Sequence, residues 1–145
     1  MARLPLQINA RAGTVKLVDD YRTAASLSLG QLYRARPTRI KVPSVYIDRI
    51  TEGTVGFTTE ESQRTVRVYV RILWGVYDGG DTVDQRDKFV DGFYAHVQDN
   101  PHAFGANSIC TFVAVEDDEN FRAEWISSDE PLFMTEITLE GFAST

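Results

Sequence analysis

The sequence contains few of the side chains from which nucleophilic and metal sites are built. Cys110 is the single cysteine among 145 residues, and His96 and His102 are the only histidines. One thiol cannot form an internal disulfide or a multi-cysteine metal site. Cys110 also lies in the apolar run Ile109–Val113, which is typical of a buried strand. A disulfide framework is therefore excluded, and a cysteine nucleophile is not favoured.

Long apolar runs are also missing. No run approaches the roughly 18 apolar residues that a membrane-crossing helix needs. The first residues, Met1–Leu6, lack the apolar stretch of a signal peptide. We therefore expect a soluble protein that contacts no membrane and is made in a reducing cytoplasm.

The overall composition is that of a globular protein. Hydrophobic residues make up 43% and charged residues 25% of the chain, which excludes disorder over its whole length. No repeat, low-complexity tract or flexible linker divides the sequence, so a single domain is predicted over residues 1–145. The formal net charge is −6, which argues against a general nucleic-acid coat. Any contact with nucleic acid would have to use a local basic patch.

Two segments have the periodicity of amphipathic helices. The first helix is predicted over residues 14–33, with Thr14 as its N-cap and an N-terminal arm over residues 1–12 before it. The second helix is predicted from Thr82, which opens a capping box, to the residues before Pro101. Each helix has one apolar face to pack against the rest of the domain.

The strongest pattern is an alternation of apolar and polar residues from Arg64 to Trp74. A period of two over this length predicts a strand with one buried face. At about 3.3 Å per residue the strand spans on the order of 36 Å, roughly the width of a domain of this size. The strand therefore crosses the domain or projects as one arm of a hairpin. The other arm is predicted over Val45–Ile50, and a long polar hairpin loop covers residues 51–63.

The last third of the sequence is predicted to form strands. Ile109–Glu116 and Phe121–Ile126 flank a predicted turn at Asp117–Asn120, and a final strand follows over Pro131–Phe142. Two helices are too few to supply parallel crossovers between all the strands. The sequence therefore predicts an α+β fold, in which an antiparallel sheet has two helices packed on one face and a long projecting β-hairpin.

None of the charged or polar clusters has the spacing of a catalytic or metal site. The acidic run Glu116–Glu119 lacks the pattern of an EF-hand loop, and we interpret it as a solvated turn. His96 and His102 lack a zinc-binding spacing, and Asp78–Asp81 lacks the lysine of a phosphate-binding loop. The sequence therefore predicts no catalytic residue, no metal ligand and no cofactor.

Two groups of polar side chains are candidates for binding a partner. The first is the basic loop, which comprises Arg34, Arg36, Arg39 and Lys41. It suits contact with phosphates or an acidic protein, but a solvated loop neutralised by the many carboxylates is favoured over a binding site. The second group, Arg67, Tyr69 and Arg71, lies on the strand face opposite the valines. Arginine and tyrosine are favoured at protein interfaces, but a solvent-facing strand tolerates them equally well.

The layout resembles the tail terminator proteins of long-tailed bacteriophages, which are also called neck or tail-completion proteins. The resemblance covers roughly residues 14–142 and rests on the order of the elements. A helix and a basic loop are followed by a strand pair around a polar loop, with the alternating strand Val66–Trp74 as its second member. The amphipathic helix Thr82–Val97 and a strand-rich end at Ile137–Leu139 complete the layout.

The resemblance implies a tail-terminator-like fold and a structural virion protein without enzymatic activity. Such a protein is assembled in the host cytoplasm and forms a hexameric ring at the head-proximal end of the phage tail. The ring ends the growth of the tail tube and joins the tail to the head, through the tail tube protein and a head–tail connector or stopper protein. DNA is expected to pass through an acidic lumen without specific binding.

The resemblance also assigns roles to the candidate residues. The long strand becomes an intersubunit arm, with Arg67, Tyr69 and Arg71 at the subunit interface. The basic loop faces a protein partner or touches DNA at one rim. The hairpin loop is expected to contact the tail tube through Gly53, Val55, Phe57 and Glu60.

Other functions stay open at this point. One alternative is another head–tail connector of the same neck, such as a stopper or head-completion protein. A second is a non-viral protein-binding module. A small enzyme is a third class, against which the missing set of acid, base and nucleophile argues.

Overall fold

The computed structural model describes residues 6–24, 31–37, 42–56, 62–75, 80–106, 108–122 and 131–144. These residues form two helices and five strands. The helices are α1 (Leu6–Ala24) and α2 (Gly80–Asp99). The strands are β1 (Gln31–Tyr33), β2 (Ser44–Gly56), β3 (Ser62–Gly75), β4 (Ser108–Phe121) and β5 (Leu132–Ser144).

The strands form a single mixed sheet in the order β1-β2-β3-β5-β4. Strands β2, β3, β5 and β4 pair antiparallel, whereas β1 pairs parallel with β2. The predicted α+β class is therefore confirmed. The expectation of a purely antiparallel sheet is wrong at β1, which has only three residues and falls within the predicted first helix.

Helix α1 begins at Leu6 instead of residue 14, so residues 6–12 belong to a helix and not to an arm. Thr14 is not an N-cap, because its hydroxyl donates a hydrogen bond to the carbonyl oxygen of Ala10 one turn earlier (2.7 Å). Gly13 lies inside this helix. Here it is required, because a Cβ at this position would lie 2.1 Å from the carbonyl oxygen of Ala103.

Both helices pack on one face of the sheet, as predicted. The buried cluster on this helix-covered face combines Tyr21 of α1 with Phe89 and Phe93 of α2. The rings of Phe89 and Phe93 stack with centroids 5.6 Å apart, and Tyr21 meets Phe89 edge-on at 5.3 Å. The sheet contributes the apolar side chains of β3 and β5 that point towards the helices, namely Val66, Val68, Val70, Ile72, Ile137 and Leu139.

More residues of β2 and β3 pair with each other than the sequence predicts. Pairing extends from Ser44 opposite Leu73 to Gly56 opposite Ser62, so most of the predicted loop 51–63 is strand. Residues 57–61 lie outside the described residues. Strand β5 accompanies β3 along its length, up to Ser144 opposite Gln63. A projection of the hairpin beyond the rest of the sheet stays a prediction.

Strand β4 runs without interruption through the acidic run, so the predicted turn at Asp117–Asn120 is wrong. The run stays extended because Asp117 is held by its neighbours. Its carboxylate accepts hydrogen bonds from the hydroxyl of Thr135 (2.7 Å) and from Arg86 of α2 (3.1 Å). The predicted strand Phe121–Ile126 is described only at its first two residues, where β4 ends at Phe121.

Candidate assembly surfaces

The face of the sheet opposite the helices, here called the second face, carries the predicted group Arg67, Tyr69 and Arg71. Their placement opposite the valines is confirmed, because Val66, Val68 and Val70 lie in the core beneath the helices. A smaller buried cluster also lies on the second face. It consists of Tyr46, Leu73, Phe121, Leu132 and Met134, with Tyr33 packed against it.

The β3 arginines of the second face form ion pairs with the neighbouring strand. Arg67 Nε lies 2.7 Å from a carboxylate oxygen of Glu140, and Arg71 Nε lies 2.8 Å from one of Glu136. The Arg67 side chain is 51% exposed, whereas that of Arg71 is 18% exposed. A partner on this face would therefore meet Arg67 as half of an ion pair. Glu136 and Glu140 were not among the predicted residues, although they have the parity opposite to Ile137 and Leu139.

On the second face, Asp48 of β2 is the common ion-pair partner of three arginines. Its side chain is fully buried, and its oxygens lie 2.6 Å from Arg36 Nε, 2.9 Å from Arg49 Nη1 and 3.3 Å from Arg71 Nη1. A register shift between Ile47 and Arg49 inserts Asp48 as the extra residue of a β-bulge. Burial opposes ionisation of Asp48, but the hydrogen bonds of Arg36 and the charge of Arg71 outweigh it. They hold the pKa of the carboxyl below its ordinary value.

The predicted basic loop is described in part. Arg34 and Arg36 are exposed, while Arg39 and Lys41 lie outside the described residues. The structure adds Arg11 of α1, whose guanidinium donates a hydrogen bond to the backbone carbonyl of Arg34. Arg11 thus contacts Arg34 just after β1, and Arg36, the partner of Asp48, follows two residues later along the chain. We call these three arginines the basic edge. Arg11 was missed because only the tertiary fold brings α1 to the end of β1.

Two of the four residues assigned to the tail-tube loop belong to a strand. Gly53 and Val55 are in β2, where they pair with Thr65 and Gln63 of β3. Phe57 and Glu60 lie outside the described residues. The hairpin remains a candidate contact, but its described part is sheet and not a loop.

Strand β4 is the outermost strand of the sheet, and among the described residues only β5 pairs with it. Its first half exposes apolar side chains, with Ile109 54% and Val113 44% exposed. Its second half contains Glu116–Glu119, all exposed, which we call the acidic edge. A strand that is paired on one side only, and that exposes apolar residues, is a template for pairing with another chain.

Charge is segregated across the sheet. Strands β4 and β5 contain six carboxylates and no lysine or arginine. Strands β2 and β3 contain four arginines and two carboxylates. The half of the sheet formed by β2 and β3 therefore has a net positive charge, and the half formed by β4 and β5 has a net negative charge. The strand order is needed to recognise this difference, because the sequence alone does not show which strands are neighbours.

Several titratable side chains of the described residues line a surface depression. This depression of about 390 Å³ between α1 and the turn after α2 is lined by Lys16, Asp20, Asp99 and His102, among others. No group of three metal-ligating side chains occurs in the described part of the chain. Burial raises the pKa of the Cys110 thiol to about 12, so the thiolate that a nucleophile needs is not available at neutral pH.

In comparisons with known proteins, no family model and no curated protein sequence matches this chain. Neither α1 nor α2 has the length and apolar character that a membrane-crossing helix needs, and the described residues contain no other helix.

Proposed function

We propose that this chain is a structural subunit that assembles with copies of itself into a ring at the head-proximal end of a phage tail. The ring ends the growth of the tail tube and joins the tail to the head, and it has no catalytic role. The tail location rests on the resemblance of the sequence layout. Self-assembly is supported by the open edges of the sheet.

The observation that carries self-assembly is a sheet in which the described residues leave two edges of different character without a further paired strand. One edge is β4 over its whole length, and the other is β2, which β1 covers only at Ser44–Tyr46. Contacts between unlike surfaces of identical subunits are heterologous, and they close into a ring when the rotation between copies allows it. A subunit whose sheet has two unlike edges suits a ring better than a symmetric dimer.

The charge of the chain fits a conduit for DNA. Each copy has a formal charge of −6, so a ring multiplies a negative field around its lumen. Such a field repels the phosphate backbone and lets DNA slide without adhering.

The apolar half of the β4 edge also favours a second candidate function, a protein-binding module. Ile109 and Val113 flank an edge to which a peptide of another protein could add as a further strand. Such a module would stay monomeric and bind its peptide with one copy of the chain.

The test is the mass and shape of the full chain, alone and with tail tubes of the phage or prophage whose genes neighbour its own. Light scattering after size exclusion is expected to show a species near six times the 16.3 kDa of the monomer, in isolation or once tubes are added. Negative-stain images are expected to show rings at one end of each tube. A chain that stays monomeric and leaves tube length unchanged would contradict the proposal.

A further inference from the structure

Resting on the proposed self-assembly, we infer that neighbouring copies join head to tail, with the acidic edge of one copy against the basic edge of the next. The two edges are Glu116–Glu119 on β4 and the group Arg11, Arg34 and Arg36 beside β1. The occupant of each edge is thus a second copy of this chain.

The strand registers place the two edges at the same level of the sheet. A single row runs from Tyr33 through Tyr46, Arg71 and Glu136 to Glu116. Arg34 follows Tyr33, so it lies close to the level of Glu116 on the opposite side of the sheet. A copy displaced sideways, across the strands, would bring its basic edge to the acidic edge of its neighbour without a shift along the strands.

The strand directions favour the same arrangement. Strand β4 is antiparallel to β5, and β5 has the direction of β2 and β1. In a sideways displacement, β4 would therefore meet β1 of the next copy in antiparallel orientation. Because β1 has only three residues, the backbone pairing is short and side-chain charges must contribute much of the specificity.

The charges on both edges are incompletely paired among the described residues. Glu116 and Glu119 have no ion-pair partner within the part of the chain that the structure describes, and neither has Arg34. Glu116 also lies directly opposite Glu136, whose own charge is paired with Arg71. A cation supplied by another copy would give Glu116 the partner that it lacks among the described residues.

The same charges disfavour the symmetric alternative. Pairing of β4 with β4 of a second copy would bring two acidic edges together, so that carboxylates face carboxylates. The basic edges would repel each other in the corresponding contact. Charge thus selects unlike edges over like edges, and the resulting contact is heterologous.

Charge reversal at one residue of each edge tests the inference. Glu116→Lys and Arg34→Glu are each expected to raise the concentration at which the full chain assembles by about tenfold, since each turns an attraction into a repulsion at every interface of the ring. Neither should lower the melting temperature of the monomer, because both side chains are exposed. The matched control is Asp91→Lys, the same charge change at an exposed position on α2, which is expected to assemble as the original chain does.

An equimolar mixture of the two variants is the decisive sample. The lysine introduced by Glu116→Lys would face the glutamate introduced by Arg34→Glu in the other variant. The original charges would meet at the alternate interfaces, so assembly is expected to return. Variants that assemble like the original chain, or a mixture that stays dissociated while both variants remain folded, would overturn the edge contact and leave the proposed function standing. An original chain that never assembles, with or without tail tubes, would overturn both.

Discussion

Different interactions predominate on the two faces of the sheet, although the same strands form both faces. Towards the helices β3 presents buried apolar side chains and, near its start, Arg64, which is paired with Glu52. Towards the second face β3 presents Arg67, Tyr69 and Arg71. The helix-covered face is stabilised mainly by the removal of apolar surface from water, which requires no precise geometry. The second face combines a smaller apolar cluster with ion pairs, whose contribution varies with burial and with the number of partners.

This contrast separates stability from recognition. Burial of the valines and of Phe93 sets whether the chain folds, since a core of this kind carries most of the free energy of folding. The second face and the two sheet edges contribute less to folding, because their charges also interact well with water. Contacts between copies can therefore form or change at these surfaces without unfolding the chain.

The largest expected effect comes from opening a cavity in the core. Phe93→Ala removes a fully buried ring that stacks on Phe89, and we expect it to lower the free energy of unfolding by about 3–5 kcal/mol. Urea denaturation followed by circular dichroism measures the loss. The control is Tyr94→Ala, at the next residue, whose side chain is 45% exposed. Equal losses for the two variants would contradict the assignment of the core.

A smaller but still large effect is expected at the buried charge of the second face. Asp48→Asn keeps the shape of the side chain and removes the charge that three arginines share. Arg36 and Arg49 then lose their carboxylate partner, and Arg71 keeps only Glu136. We expect a loss of about 2–4 kcal/mol in the free energy of unfolding at neutral pH.

The loss at Asp48 has a defined pH dependence. The folded chain holds the pKa of Asp48 below its ordinary 3.8, so the ionised carboxylate stabilises the fold at every pH above that value. As the pH falls from 3.8 through the lower pKa of the folded state, the contribution disappears. The original chain and Asp48→Asn should therefore converge in stability below about pH 4. A difference that stays constant down to about pH 2 would show that the charge of Asp48 is not its cause.

The next comparison lies within the second face itself. Arg71 contacts two carboxylates, Asp48 and Glu136, and also lies over the ring of Phe121, whereas Arg67 has one carboxylate partner and is half exposed. Arg71→Ala is expected to lower the free energy of unfolding by about 2 kcal/mol. Arg67→Ala should leave it almost unchanged, since solvent and salt screen an exposed pair. Thermal melts of the two variants measure which arginine contributes more to stability. A larger loss of stability for Arg67→Ala than for Arg71→Ala would contradict the expectation that Arg71 contributes more.

Local patterns in the sequence were sufficient for some elements and not for others. The period of two in β3 and the amphipathic pattern of the second helix predicted elements that the structure contains, because both signals depend on neighbours in the chain. The predicted start at Thr82 is wrong by two residues, because α2 begins at Gly80 and Thr82 lies inside its first turn. The acidic run of β4 was predicted as a turn because the partners of Asp117 lie in α2 and β5. Strand β1 was missed because three residues are too few to show a period.

The candidate surfaces show the same division. Sequence parity placed Arg67 and Arg71 on one face, but their partners Glu136 and Glu140 come from a strand that follows much later in the chain. The cluster around Asp48 also depends on a β-bulge, which shifts one residue out of the regular alternation. The charge difference between the sheet edges needed the strand order, since β4 and β1 are at opposite ends of the sheet and far apart in the sequence.

The smallest effect on folding is expected at the apolar half of the β4 edge. Val113→Lys replaces a side chain that is 44% exposed, so we expect the free energy of unfolding to change by no more than about 0.5 kcal/mol. A lysine on an open edge strand opposes pairing with another chain, because its charge would have to leave water. Size exclusion should therefore show reduced assembly with an unchanged melting curve. Val83→Lys, at an exposed valine of α2 and not of the sheet, is the matched control and should assemble normally. If Val113→Lys assembled equally well, the apolar half of β4 would be solvent-exposed in the ring, and the contact between copies would be confined to the charged half.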